Sequence, residues 1–417
     1  MTHRTLSGSV LRLCLAALTL QACGGTEAEH AKTPSPLAAS IPAPAAQAPT
    51  SPCRADTACA RALASNEASI RAQTKRLETV SPDWRHYQQL ASLHVRNARL
   101  TGRYEPYAEA ELALARAFEL APDGAGPYLD RAQLEFTLHR FSNVEADLVL
   151  AEASPLGAPS SVIAGMRADL ALYRGDEIAA ARAFAELASM PETMDSLVRL
   201  ANYAKYRGEF EEADALLVRA TEHVSPRFAH THAWLLLQRG LIDLDRGALD
   251  EARAHYEAAS QRYDGWYLID EHIAELDALQ GRTDVAIAAY RDLVSRTDNP
   301  EFMAALASSL QDAGRHDDAA HWVGRAQHSF DGLVDAFPAA AGGHALDFYL
   351  DHGEPSRALE LARRNVAARP YAPAQLKLAS AVLKSGDANG AARLLDEVEQ
   401  TAFRSADVAE LRSQLTE

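Results

Sequence analysis

Dense clusters of lysine and arginine are missing from these 417 residues, in which 57 acids outnumber 41 bases for a formal net charge of −16. A nucleic-acid-binding face needs the opposite balance, so that class is set aside. Aromatic residues make up only 7 % of the chain. β-Branched residues are also sparse, and alanine, the strongest helix former, is abundant, which points to an all-α chain. No phosphate loop, Gly-x-Ser-x-Gly elbow or Rossmann fingerprint occurs, and neither does His-Glu-x-x-His or its inverse. The common enzyme signatures are therefore absent. Only four cysteines are present.

Long apolar runs are lacking as well. The run Leu13–Leu20 is too short to span a bilayer as a stable helix. With Arg4 and Arg12 ahead of it, it reads as a secretory signal over residues 1–22. It ends in Leu20-Gln21-Ala22-Cys23. These residues resemble the lipobox of bacterial lipoproteins. The resemblance implies that Cys23 becomes a lipidated N-terminus and anchors the chain to a membrane. Gly24, where Asp would favour the inner membrane, implies the outer membrane, with the body facing the periplasm. Residues 23–52 are rich in Ala, Pro and Ser, including Pro34, Pro36, Pro42, Pro44, Pro49 and Pro52. Such a segment cannot bury a core and serves as an extended tether. Cys53 and Cys59 remain, and in an oxidising compartment an isolated pair favours a local disulfide clip. Two further ligands at suitable spacing are missing beside them, so no metal site is expected there.

The remainder is periodic. Gly175, Gly208, Gly247, Gly281, Gly314, Gly353 and Gly386 recur at about 34 residues, with two longer gaps. Five residues after each stands an alanine: Ala180, Ala213, Ala252, Ala286, Ala319, Ala358 and Ala391. Seven before come Ala168, Ala201, Gly240, Ala274, Ala307, Leu346 and Ala379. Nine after come Phe184, Leu217, Tyr256, Tyr290, Val323, Ala362 and Leu395. Physically this is a pair of helices per repeat. Glycine turns the chain between them, small residues let them approach, and the larger apolar residues fill the gap to the neighbour. Pro191, Pro226, Pro300 and Pro370 close the second helices.

These positions resemble the tetratricopeptide repeat family. The resemblance implies an α-solenoid, a right-handed superhelix of about nine helix-turn-helix repeats over residues 84–403. It also implies an N-terminal capping region over 53–83 and a C-terminal capping helix over 404–417. The long gaps, near His223–His232 and His328–Gly343, call for longer turns or longer second helices.

In that family the first helices line a concave groove that binds a peptide or a partner helix. By register the groove candidates are Asn202, Lys205, Tyr206, Trp234, Leu237, Leu241, Asp245, Glu271, His272 and Glu275. Some relatives clamp a peptide carboxylate with Lys and Asn. Here Asn202 and Lys205 are present, but the neighbouring repeat offers leucine and Gln238, so no such clamp is expected. An apolar patch beside acids suits a basic or amphipathic partner. His272 and Glu275, at i,i+3, share a helix face and are the one candidate for a metal-dependent hydrolase. The expected state of this cluster is a groove histidine beside solvated acids, with no metal, no catalytic residue and no cofactor. Tyr206 and Trp234 are the support for a carbohydrate-binding alternative. The reading that follows is a lipid-anchored scaffold at the cell envelope. The nearest alternative is an accessory subunit of a secretion, pilus or outer-membrane assembly machine.

Overall fold

The computed structural model describes residues 51–79, 81–122, 125–154 and 158–416. The signal segment, Cys23 and nearly all of the tether lie outside the described residues. Among those described there are twenty helices and no strand. One helix, α1 (Ala58–Thr79), precedes nine pairs. These are α2 (Trp84–Thr101) with α3 (Glu105–Leu120), α4 (Tyr128–Thr137) with α5 (Val144–Glu152), and α6 (Ser160–Tyr173) with α7 (Glu177–Ser189). Next come α8 (Met194–Tyr206) with α9 (Phe210–Glu222), α10 (Ala229–Asp245) with α11 (Leu249–Arg262), and α12 (Tyr267–Leu279) with α13 (Thr283–Thr297). The last are α14 (Pro300–Asp312) with α15 (His316–Ala336), α16 (Pro338–His352) with α17 (Pro355–Ala368), and α18 (Ala372–Lys384) with α19 (Ala388–Glu399). The chain then ends in α20 (Ala406–Gln414). This is an all-α helical-repeat solenoid with a capping helix at each end.

Local chemistry sets the helix limits. Asp83 Oδ1 accepts from the Arg85 N–H at 3.0 Å, while His86 Nδ1 accepts from the Asp83 N–H at 3.2 Å. This reciprocal cap opens α2. Thr193 and Ser196 form the same device at α8. The turn glycines Gly175, Gly208, Gly247, Gly281, Gly314 and Gly386 all have φ between 72° and 92°, where an L side chain is strained. Gly353 is the exception: its backbone is extended (φ −110°), and Glu354-Pro355 start the next helix directly.

The alanines five residues after those glycines are 0–1 % exposed in every repeat. Phe184, Leu217, Tyr256, Tyr290, Ala362 and Leu395 are buried beside them, and only Val323 in that column is half-buried. Phe184 also stacks on Tyr203, with centroids 4.1 Å apart, tying α7 to the first helix of the next pair.

The two long gaps resolve differently. After α9 the turn is longer, with Phe228 about half exposed, and the following first helix α10 grows to 17 residues. In the second gap the helix itself grows, so α15 runs for 21 residues straight into Pro338.

Packing divides the chain into two compact units near Asp270. In the unit up to Ile269, the N-terminal segment returns to residues far along the chain. The Ala58 N–H donates to Asp264 Oδ1 at 2.7 Å, the Cys59 N–H to the Asp264 carbonyl at 3.2 Å, and the Arg54 N–H to the Gly265 carbonyl at 3.2 Å. Cys53 and Cys59 are joined as a disulfide, which holds this segment in a tight loop.

Candidate functional site

The first helices of the pairs carry the residues that the repeat register aims inward. In the unit up to Ile269 they do not form an open groove. Trp234, Leu237, Leu241 and Tyr206 are core residues, with Trp234 1 % exposed. Lys205 bonds Asp245, Nζ to Oδ2 at 2.8 Å, and Asn202 alone of this set is exposed. The expectation of a solvated apolar patch on this wall is therefore corrected. A register fixes which face of a helix a residue occupies, but not which distant segment covers that face. Here α2 comes close to α10: the charges of Arg96 and Arg99 act on His230, which packs against Tyr263 and Trp266 at 4.9 and 4.5 Å between centroids. Burial and those two cations push the His230 pKa down to about 4.

A buried ion triad lies on the same wall. Arg199 donates from Nε to Asp195 Oδ2 at 2.9 Å and from Nη1 to Asp169. Burial opposes the Arg199 charge, but Asp195 and Asp169 outweigh it and raise its pKa. Burial raises Asp169 to about 6; Arg199 opposes this and Asp195 adds to it.

The unit from Asp270 onward carries the denser chemistry. On α12, His272 Nδ1 lies 3.1 Å from Glu271 Oε2 and 3.1 Å from Glu275 Oε2. One oxygen from each carboxylate and one histidine nitrogen fall within 4.8 Å of one another. This is the one such convergence of three or more His, Cys, Asp or Glu side chains among the described residues. Glu275 reaches the imidazole at i,i+3, while Glu271 stands at i,i+4 from Glu275 and next to His272 in the chain. Glu271, His272 and Glu275 are 2 %, 0 % and 5 % exposed. The expectation of a solvated acidic face is again corrected, because all three are sealed in. A carboxylate oxygen on each of Glu271 and Glu275 is buried without a hydrogen-bond donor.

The next first helices extend the cluster. Glu301, at the start of α14, and His344, on α16, meet with Oε2 and Nδ1 3.3 Å apart. Burial pushes Glu271 up to about 8; His272 opposes this, while Glu275 and Glu301 add to it. Burial works against protonation of His344, but Glu301 outweighs it and raises the His344 pKa. Tyr290, on α13 behind them, is raised well above its ordinary value by burial and by the same carboxylates.

His344 is the residue that the sequence reading missed. It stands nine residues before Gly353, as His272 stands nine before Gly281, and each is followed at the third position by an acid, Asp347 or Glu275. The long gap ahead of α16 hid this shared register. Asp347 is paired with Lys377 on α18 at 2.6 Å.

No protein-family model matches the sequence, and no curated protein matches it. Among solved structures, the chain is similar to a tetratricopeptide repeat protein from Parabacteroides merdae ATCC 43184, at 18 % identity over 54 % of this chain and 85 % of that one, with a TM-score of 0.32. It is similar to PilF of Pseudomonas aeruginosa at 14 % identity over 52 % and 95 %, TM-score 0.38. It is also similar to human IFIT1, solved as a dimer with m7Gppp-AAAA, at 13 % identity over 83 % of each chain, TM-score 0.42. At these values the repeat architecture stands on the helix pairs themselves.

Proposed function

We propose that this chain is a docking scaffold of the bacterial cell envelope, lipid-anchored through Cys23, that holds protein partners and performs no catalysis. The observation carrying the reading is the sealed state of the one convergent cluster among the described residues. A catalytic metal or acid–base site keeps a position open for substrate, whereas His272 is 0 % exposed. What the repeats leave outside is extended helical surface, the kind that recruits other chains. The exposed acids Glu211, Glu212, Asp250 and Glu251 open successive second helices, where they complement the helix dipoles. They also favour a basic partner segment.

The Cys53–Cys59 disulfide supports an oxidising, exported location. The leader and Leu20-Gln21-Ala22-Cys23 support lipid attachment, and Gly24 supports the outer membrane. Two measurements test this. Mass spectrometry of the mature N-terminal peptide should find acyl chains on Cys23, and Cys23→Ser should move the protein from the membrane to the soluble fraction; an unmodified N-terminus rejects the anchor. A photo-crosslinking residue placed at exposed Asn202, and another at Phe228, should each give discrete protein adducts in native membranes. Salt and the reversal of Glu211, Glu212, Asp250 and Glu251 to lysine should abolish them; adducts indifferent to both reject the acidic docking edge.

A further inference from the structure

We infer that Glu271, His272 and Glu275 form a buried divalent-metal site in the unit from Asp270 onward. The inference goes beyond the docking reading and does not depend on it.

Three observations carry it. The first is donor chemistry. One imidazole nitrogen and two carboxylate oxygens form a mixed nitrogen and oxygen set of the kind that first-row divalent cations take, zinc among them. The second is spacing. Two donors about 2.1 Å from a tetrahedral ion sit about 3.4 Å apart. Here each carboxylate oxygen is 3.1 Å from Nδ1, so a slight spreading admits an ion. The third is an unmet requirement. Nδ1 carries at most one proton and can serve one carboxylate well; its hydrogen-bond geometry is met toward Glu275 and not toward Glu271. A second carboxylate oxygen of Glu275, Oε1, is buried with no donor at all, and so is Oε2 of Glu271. Buried carboxylates in native proteins are paired or bound to metal. Two such groups beside a single imidazole cannot both stay ionised without a further counter-charge, and a divalent cation supplies one.

With its ligands sealed from solvent, the site has the character of a structural ion and not of a catalytic one. Such burial also means that the ion enters during folding and not by diffusion into the finished fold.

The test follows from that route. The purified full-length protein is unfolded in guanidinium with its disulfide intact, refolded with excess Zn2+, desalted and dialysed against a weak chelator. Metal per chain is then counted by mass spectrometry. The wild type should retain one zinc per chain. Glu275→Gln and Glu271→Gln, which keep side-chain shape, should retain less by more than about tenfold, with wild-type helical circular dichroism. Equal retention in wild type and variants, which means adventitious binding at exposed histidines, overturns the proposal. No retention in the wild type overturns it too, and leaves a proton on Glu271 as what balances the cluster. Should the variants fail to fold, the wild type alone decides. Its unfolding midpoint should rise by several degrees when it is refolded with zinc rather than with chelator, and an unchanged midpoint rejects the site.

Discussion

Gly240 shows how finely single residues fit the repeat. It takes the place that alanine holds in most repeats, and a Cβ there would run into the ring of Tyr256, which is fully buried. Gly240→Ala should therefore destabilise the unit by about 1–3 kcal/mol despite the better helix propensity of alanine. Urea unfolding checks this, and an unchanged midpoint would show that Tyr256 moves aside freely. A second prediction concerns pH. His230 gives up its proton in the folded chain at about 4 instead of 6.5. The unfolded chain takes up this proton first, so its contribution to stability is full above about 6.5 and is lost as pH falls toward 4. Asp169 acts in the opposite sense. Held up to about 6 from 3.8, it contributes fully below 3.8 and loses that contribution as pH rises toward 6. His230→Phe removes the first effect and leaves the second. Between pH 6.5 and 4.5 its denaturation midpoint should fall less than that of the wild type.

Among the elements, the helix pairs were the legible part. In the seven pairs from α6 onward, Ala180, Ala213, Ala252 and their equivalents marked buried small positions, and the left-handed glycines marked every turn but one. Both signals are local, since a turn or a tight contact between adjacent helices restricts residue type within a few positions. The state of Trp234, Leu237, Glu271 and Glu275 was not legible. Their burial depends on how separate helix pairs come together, and no local pattern encodes that. The terminal segment belongs to this long-range class. The Cys53–Cys59 loop is held at Asp264 and Gly265, and Asn66 Nδ2 of α1 reaches the Leu93 carbonyl of α2 at 3.1 Å. Cys53→Ser with Cys59→Ser should cost this segment about 2 kcal/mol of local stability. Amide exchange should then quicken across Ala58–Thr79 while α8 and α9 keep their wild-type protection. Uniform quickening would mean instead that the clip stabilises the whole unit.

At the scale of the molecule, the two ends of the stack differ in what secures them. The start has a disulfide, and backbone bonds return it to residues 264 and 265. The C-terminal end has α20 alone, resting on α19 through Leu411, which is 4 % exposed, and through Arg412, which bonds Asp396 and Glu399 at 2.7 Å on the surface. Surface ion pairs of this kind add little, on the order of 0–1 kcal/mol each, so Leu411 carries the cap. In a stacked array, stability is the sum of each pair's own and its neighbour contacts, so an exposed end opens first. Leu411→Asp replaces a buried apolar side chain with a charge, at a local cost on the order of 2–5 kcal/mol. Opening α20 then uncovers the part of α19 on which it rests. Amide exchange should rise through α19 and α20 and stop short of α16, and the variant should associate at high concentration through the uncovered face. Exchange rising evenly as far back as Asp270 would show instead that this unit melts as a single body, and that its ends are no weaker than its middle.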